Sequence, residues 1–202
     1  MILSNTSIAS ALDAGLLVID PRPPGPGSTD SAGRYNTTSI DLTLGEMLRI
    51  PARGLSLIID PRAGDTAATL STLYQPQPID PVQGYRLDPG PDRLVLGATR
   101  EYVALPRPPD VPDADPEQPA LAARVEGKST LARYGLLVHF TAPTIHANFA
   151  GTITLEIMNL GSAPITLYQD MPICQLIIEQ VHGDPIQATS RFQGQTDPAG
   201  AI

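Results

Sequence analysis

Hydrophobic and polar residues alternate most cleanly in the second half of the chain. From Gly151 to Met158 a period of two puts Thr152, Thr154 and Glu156 on one face and Ile153, Leu155 and Ile157 on the other, the pattern of a half-buried strand. Gly135–Phe140, Ala163–Tyr168 and Ile173–Ile178 predict further short strands. In the first half, strands are predicted at Leu16–Ile19, Ser39–Leu44, Leu55–Ile59, Arg93–Leu96 and Tyr102–Leu105. Ser7–Gly15 reads as a short helix, with Ile8 and Leu12 on one face and Gly15 as its stop. Pro106–Pro119 holds six prolines and four acidic residues, so it cannot enter a sheet interior and is expected as an exposed excursion. Short strands without long helices between them predict an all-β sandwich or barrel.

Composition narrows this picture. A length of 202 residues suits one domain, here 1–186, with 187–202 turning polar and glycine-containing as a flexible tail. Tryptophan is absent, so the core must be mainly aliphatic. A net charge of -8 argues against a duplex nucleic-acid binder, which presents a basic face. Cys174 is the sole cysteine, which rules out an intrachain disulfide and a Cys-based zinc site. Neither a signal-peptide pattern nor a membrane-spanning run is present, and a cytoplasmic location is expected.

The chemistry concentrates in Glu126-Gly127-Lys128-Ser129-Thr130-Leu131-Ala132-Arg133. Lys128 is the only lysine, and an acidic chain that places it beside two hydroxyls and Arg133 is equipped for an anion. A phosphate-cradling G-x-x-x-x-G-K-[ST] loop is excluded, because Ala122 stands where its first glycine is needed and Tyr134-Gly135 stops a long helix. Glu156, on an otherwise apolar and hydroxyl-bearing strand, is the natural acid/base candidate. His139 on its apolar strand reads as a core histidine that supports the pocket, and Cys174 and His182 read as structural.

Val125-Glu126-Gly127-Lys128-Ser129-Thr130-Leu131-Ala132-Arg133-Tyr134-Gly135-Leu136 resembles the V-E-G-R-S-S-L-A-R-x-G-L motif of the dCTP deaminase family. The likeness continues through Val138-His139-x-Thr141-Ala142, Phe149-x-Gly151, Leu155-Glu156-x-x-Asn159 and Asp170-Met171-Pro172-Ile173. Ser39-x-Asp41-Leu42-x-Leu44-Gly45, Leu87-x-Pro89-Gly90 and a terminal Arg191-Phe192-Gln193-Gly194-Gln195 also fit. The resemblance implies a distorted jelly-roll, dUTPase-like β-barrel with a short N-terminal helix, assembled as a homotrimer whose pockets are shared between subunits.

It further implies metal-independent hydrolytic deamination of dCTP to dUTP and ammonia, with a bifunctional deaminase/dUTP diphosphatase, a dUTPase or a non-catalytic nucleotide-binding homologue as alternatives. Glu156 would take the proton from water, Ser129 and the main chain at Ala142 would hold that water, and Arg133 would supply positive charge. Lys128, Ser129, Thr130, Gln175, Arg191 and Gln195 would meet the triphosphate, and Thr154 and Leu155 the base, with the tail closing over the nucleotide. Magnesium would ride on the phosphates, and dTTP would inhibit. The chain departs from the family at His146, which stands in place of an aspartate that meets the deoxyribose 3'-hydroxyl and counts against dUTP hydrolysis. Lys128 replaces an arginine, the tyrosine expected ahead of the Q-G-Q segment has no counterpart, and Gln175 is the residue of bifunctional members.

Overall fold

Ser4 opens the first helix. Its hydroxyl accepts from the Ser7 amide at 3.2 Å, capping α1 (Asn5–Asp13), whose Ile8, Ala11 and Leu12 are buried. The computed structural model describes residues 1–27, 33–60, 62, 64, 66–90, 93–186 and 193–199. Beyond α1 the chain is mostly antiparallel β-structure: β1 (Val18–Asp20), β2 (Ile40–Thr43), β3 (Met47–Pro51), β4 (Tyr74–Pro78), β5 (Tyr85–Leu87) and β6 (Val95–Ala104). The second half adds β7 (Leu121–Gly127), β8 (Leu136–Leu137), β9 (Thr144–Ile145), β10 (Ala150–Asn159), β11 (Ile165–Leu167) and β12 (Pro172–Gln180). Two more short helices, α2 (Thr66–Leu73) and α3 (Ser129–Arg133), interrupt this order.

One sheet runs β4-β3-β6-β10-β8, with β1 also on β6, and a second runs β2-β12-β7-β9. β5 and β11 pair as a separate ribbon. Between the two main sheets lies an aliphatic core that includes Leu42, Leu48, Val103, Leu155, Ile157 and Ile178, all fully or nearly fully buried. Among the described residues, no helix is long and apolar enough to cross a membrane.

Several expected elements differ. Arg93–Leu96 and Tyr102–Leu105 are parts of one strand, β6, because β10 pairs along it from Ala150↔Ala104 to Ile157↔Val95. The polar pair Thr99 and Glu101 hid that continuity, yet both are buried. Glu101 is satisfied inside the fold: Thr43 donates its amide at 2.8 Å and its hydroxyl at 2.7 Å, and Arg34 supplies an ion pair. Leu55–Ile59 is not a strand. The Ala52 amide bonds the Leu73 carbonyl at 2.8 Å, closing the base of an excursion that leaves 55–59 without a ladder partner and Ile58 95% exposed.

Candidate active site

Glu156 is placed by β10. Alternation along the strand buries Ile153, Leu155 and Ile157 and leaves Thr152, Thr154 and Glu156 half-buried on the other face, as the pattern predicted. The strand's far end is locked by the Asn159 side chain, which donates to the Leu87 and Ala163 carbonyls at 3.1 and 2.9 Å and accepts from Gly161 at 2.9 Å. The Phe140 amide donates to Glu156 Oε2 at 3.0 Å, fixing the carboxylate's orientation. Facing it is a cavity of about 1070 Å³, lined by Ala142, His146, Thr154, Glu156 and Gln195 among others.

His139 lines the same cavity; its Nε2 lies 3.6 Å from Glu126 Oε2, and its buried Nδ1 has no hydrogen-bond partner among the described residues. It therefore lines the cavity as well as packing half-buried against the fold. Tyr74 also belongs to this neighbourhood: burial, and then the charge of Glu156, push its phenol pKa up.

The remaining predicted residues form a second group outside the cavity. Ser129, Thr130 and Arg133 are exposed on the short α3, which begins directly after Lys128. The Lys128 ammonium pairs with Asp41, whose other oxygen accepts from Asn36 Nδ2 at 2.9 Å. Gln175, on β12, accepts from the Ser39 hydroxyl at 2.8 Å and donates to the Gly127 carbonyl at 3.1 Å. These contacts hold a cation, amide and hydroxyl cluster together without blocking Ser129 or Arg133. Leu155 has its side chain fully buried in the core, so only its main chain is available to a ligand. Arg191 lies outside the described residues.

Residues 193–199 of the expected tail lie across β10. The Thr152 amide bonds the Gln195 carbonyl at 2.9 Å, Gln195 Nε2 returns a bond to the Thr152 carbonyl at 2.8 Å, and the Gly194 amide bonds Ala150 at 2.7 Å. Gly151 permits this approach: its φ is +149°, and a Cβ there would stand 2.9 Å from the Gln195 carbonyl oxygen. Arg49 clamps the far end, its Nε and Nη2 donating to the two oxygens of Asp197 at 3.1 and 2.6 Å. Burial opposes ionisation of Asp197, but the Arg49 and Ala199 hydrogen bonds outweigh it and hold the carboxyl below the usual range.

Known proteins with similar sequence or structure point one way. The family model described as dCTP deaminase-like matches residues 2–181. The dCTP deaminase, dUMP-forming, of Nocardioides sp. is 34% identical over 205 residues, covering 98% of this chain and 93% of that relative. The protein of the same name from Mycobacterium sp. (strain KMS) is 36% identical, with the same coverages of 98% and 93%. In structure, the chain is similar to 2'-deoxycytidine 5'-triphosphate deaminase from Agrobacterium tumefaciens, with a TM-score of 0.61, 20% identity and 90% of this chain covered. The chain spans about half of that protein, 48%.

The relatives correct one expectation. They are named for forming dUMP, so dUTP as the end product is overturned. Reaching a monophosphate requires phosphate hydrolysis as well as deamination. By sequence match along almost its whole length, the chain belongs to the dCTP deaminase-like family.

Proposed function

We propose that this protein converts dCTP to dUMP, releasing ammonia and pyrophosphate. The observation that carries this reading is Glu156, oriented by the Phe140 amide at the wall of a cavity of nucleotide size, in a chain whose relatives are dUMP-forming deaminases.

Water held between the Glu156 carboxylate and the main chain at Ala142 loses a proton to Glu156 as its oxygen adds to C4 of cytosine. The same carboxyl delivers that proton to the ring nitrogen, then takes the hydroxyl proton of the tetrahedral intermediate and passes it to the amine, so ammonia leaves and a uracil carbonyl forms. A second water cleaves between the α- and β-phosphates, giving dUMP and pyrophosphate. Ser129 and Arg133 complete the site by positioning the first water and meeting developing negative charge. Thr154 and the Leu155 main chain would face the base, and His146 offers the sugar hydroxyl an imidazole nitrogen.

In a single chain, Ser129 and Arg133 do not line the cavity that holds Glu156. That separation supports assembly as a homotrimer, with α3 of one subunit completing the cavity of the next and the sheets closing as jelly-roll barrels. Lys128, Ser129, Thr130 and Gln175, with Arg191, would then receive the triphosphate. Among the described residues no three His, Cys, Asp or Glu side chains converge as a metal cage. Magnesium would ride on the phosphate oxygens, whose charge exceeds what the nearby cations balance, and the side chains named above would carry the proton steps. By sharing the triphosphate contacts, dTTP would compete for the site.

Chromatography of a dCTP incubation with magnesium tests this reading. dUMP and ammonia should appear together, with dTTP slowing both. Accumulation of dUTP as the stable product would defeat the hydrolytic half, and unchanged dCTP would defeat the whole.

A further inference from the structure

Eight of the eleven arginines among the described residues have a carboxylate partner, as expected in a chain with 21 acidic and 13 basic residues. Arg53, Arg107 and Arg133 have none among the described residues. Arg53 and Arg133 are exposed, whereas Arg107 is half-buried and lines the cavity. A guanidinium stays protonated at any working pH, and partial burial without a counter-ion is unfavourable unless a ligand supplies one.

The backbone holds this side chain in place. The Leu105 amide bonds the Phe149 carbonyl at 2.9 Å and the Asn148 amide bonds the Leu105 carbonyl at 2.8 Å, so Arg107 stands beside the segment that carries His146. Prolines flank it, Pro108 is buried, and the Asp110 amide caps the Arg107 carbonyl at 2.9 Å. An arginine before proline is biased to extended backbone, and Arg107 adopts it, with φ -72° and ψ 141°. This start of the proline-rich excursion is a rigid mount, with the cavity on its inner side.

The cavity's charged groups are few. Among the described residues that line it, Glu156 is the one carboxylate and Arg107 the one guanidinium, with the imidazoles of His139 and His146 beside them.

Resting on the reading of the cavity as a deoxynucleotide site, we propose that Arg107 is a substrate-binding residue that takes a phosphate oxygen of the nucleotide. It adds a cation from the proline-rich excursion to those of Lys128 and Arg133. Its planar fork suits two phosphate oxygens at once.

Steady-state kinetics with dCTP and titration calorimetry with inorganic pyrophosphate test this on wild type, Arg107→Gln and Arg107→Lys. Arg107→Gln should raise KM roughly tenfold or more while lowering kcat far less, and should weaken pyrophosphate binding by a similar factor. Arg107→Lys, which keeps the charge but not the fork, should recover part of the loss and guards against a folding defect in the glutamine variant. Unchanged KM in a folded Arg107→Gln protein overturns the assignment. Should wild type leave dCTP unconverted, the proposed reaction falls, and pyrophosphate alone decides Arg107: equal affinity in wild type and Arg107→Gln overturns it.

Discussion

A carboxylate serves as a base when it is held in place yet keeps a lone pair for water. Glu156 meets both conditions, with one oxygen accepting from the Phe140 amide and the side chain half-buried at a cavity wall. Glu101 is the opposite case. Fully buried, it accepts from Thr43 twice and from Arg34, which leaves it structural. Arg34→Ala should strand that buried charge and cost roughly 3–5 kcal/mol of stability, read from denaturant unfolding, with near-normal turnover in the molecules that remain folded. A loss under about 1 kcal/mol would show that Arg34 is dispensable to Glu101. Glu156 was legible from strand alternation and its motif. Glu101, Arg34 and Arg107 were not, because their meaning lies in partners far away in sequence, or in the lack of one.

At the scale of elements, strands with one buried face announced themselves and edge or pairing-defined strands did not. β10 was readable because its alternation matches its burial. β4 contains Pro76 and Pro78, and it is tolerated because it is the edge of its sheet. β7 is rich in alanine and becomes a strand through seven register pairs with β12. The 193–199 segment, read as tail from its polarity, is held by backbone bonds to β10 and by the Asp197–Arg49 clamp.

That clamp has a pH sign. The Asp197 carboxyl sits below its usual pKa when docked, so docking is favoured above the unfolded carboxylate pKa and is lost as pH falls through the lowered value. Amide exchange at Thr152 and Gly194 should accelerate on acidification through that window. Asp197→Asn should give the same acceleration at neutral pH. Equal exchange in the variant and wild type would mean the backbone bonds alone hold the segment.

Across the whole molecule, the proposed site residues fall in two groups: the cavity with Glu156, and the α3 turn with Ser129 and Arg133. The motif identified members of both, and the shared pockets that the resemblance implies would join them across subunits. If neighbouring subunits join them, mixing Glu156→Gln with Arg133→Ala subunits, each inactive alone, should restore roughly a quarter of the sites after exchange. Mixtures that stay inactive after proven exchange would return both residues to a single-chain site.

The most direct measurement is ammonia release from dCTP by Glu156→Gln beside wild type. The amide keeps the shape and can still meet the Phe140 amide through its oxygen, but it cannot accept the proton from water. Release should fall by a factor on the order of 10² to 10⁴ while dCTP still binds. Ammonia formed at the wild-type rate by that variant would contradict the assignment of the base.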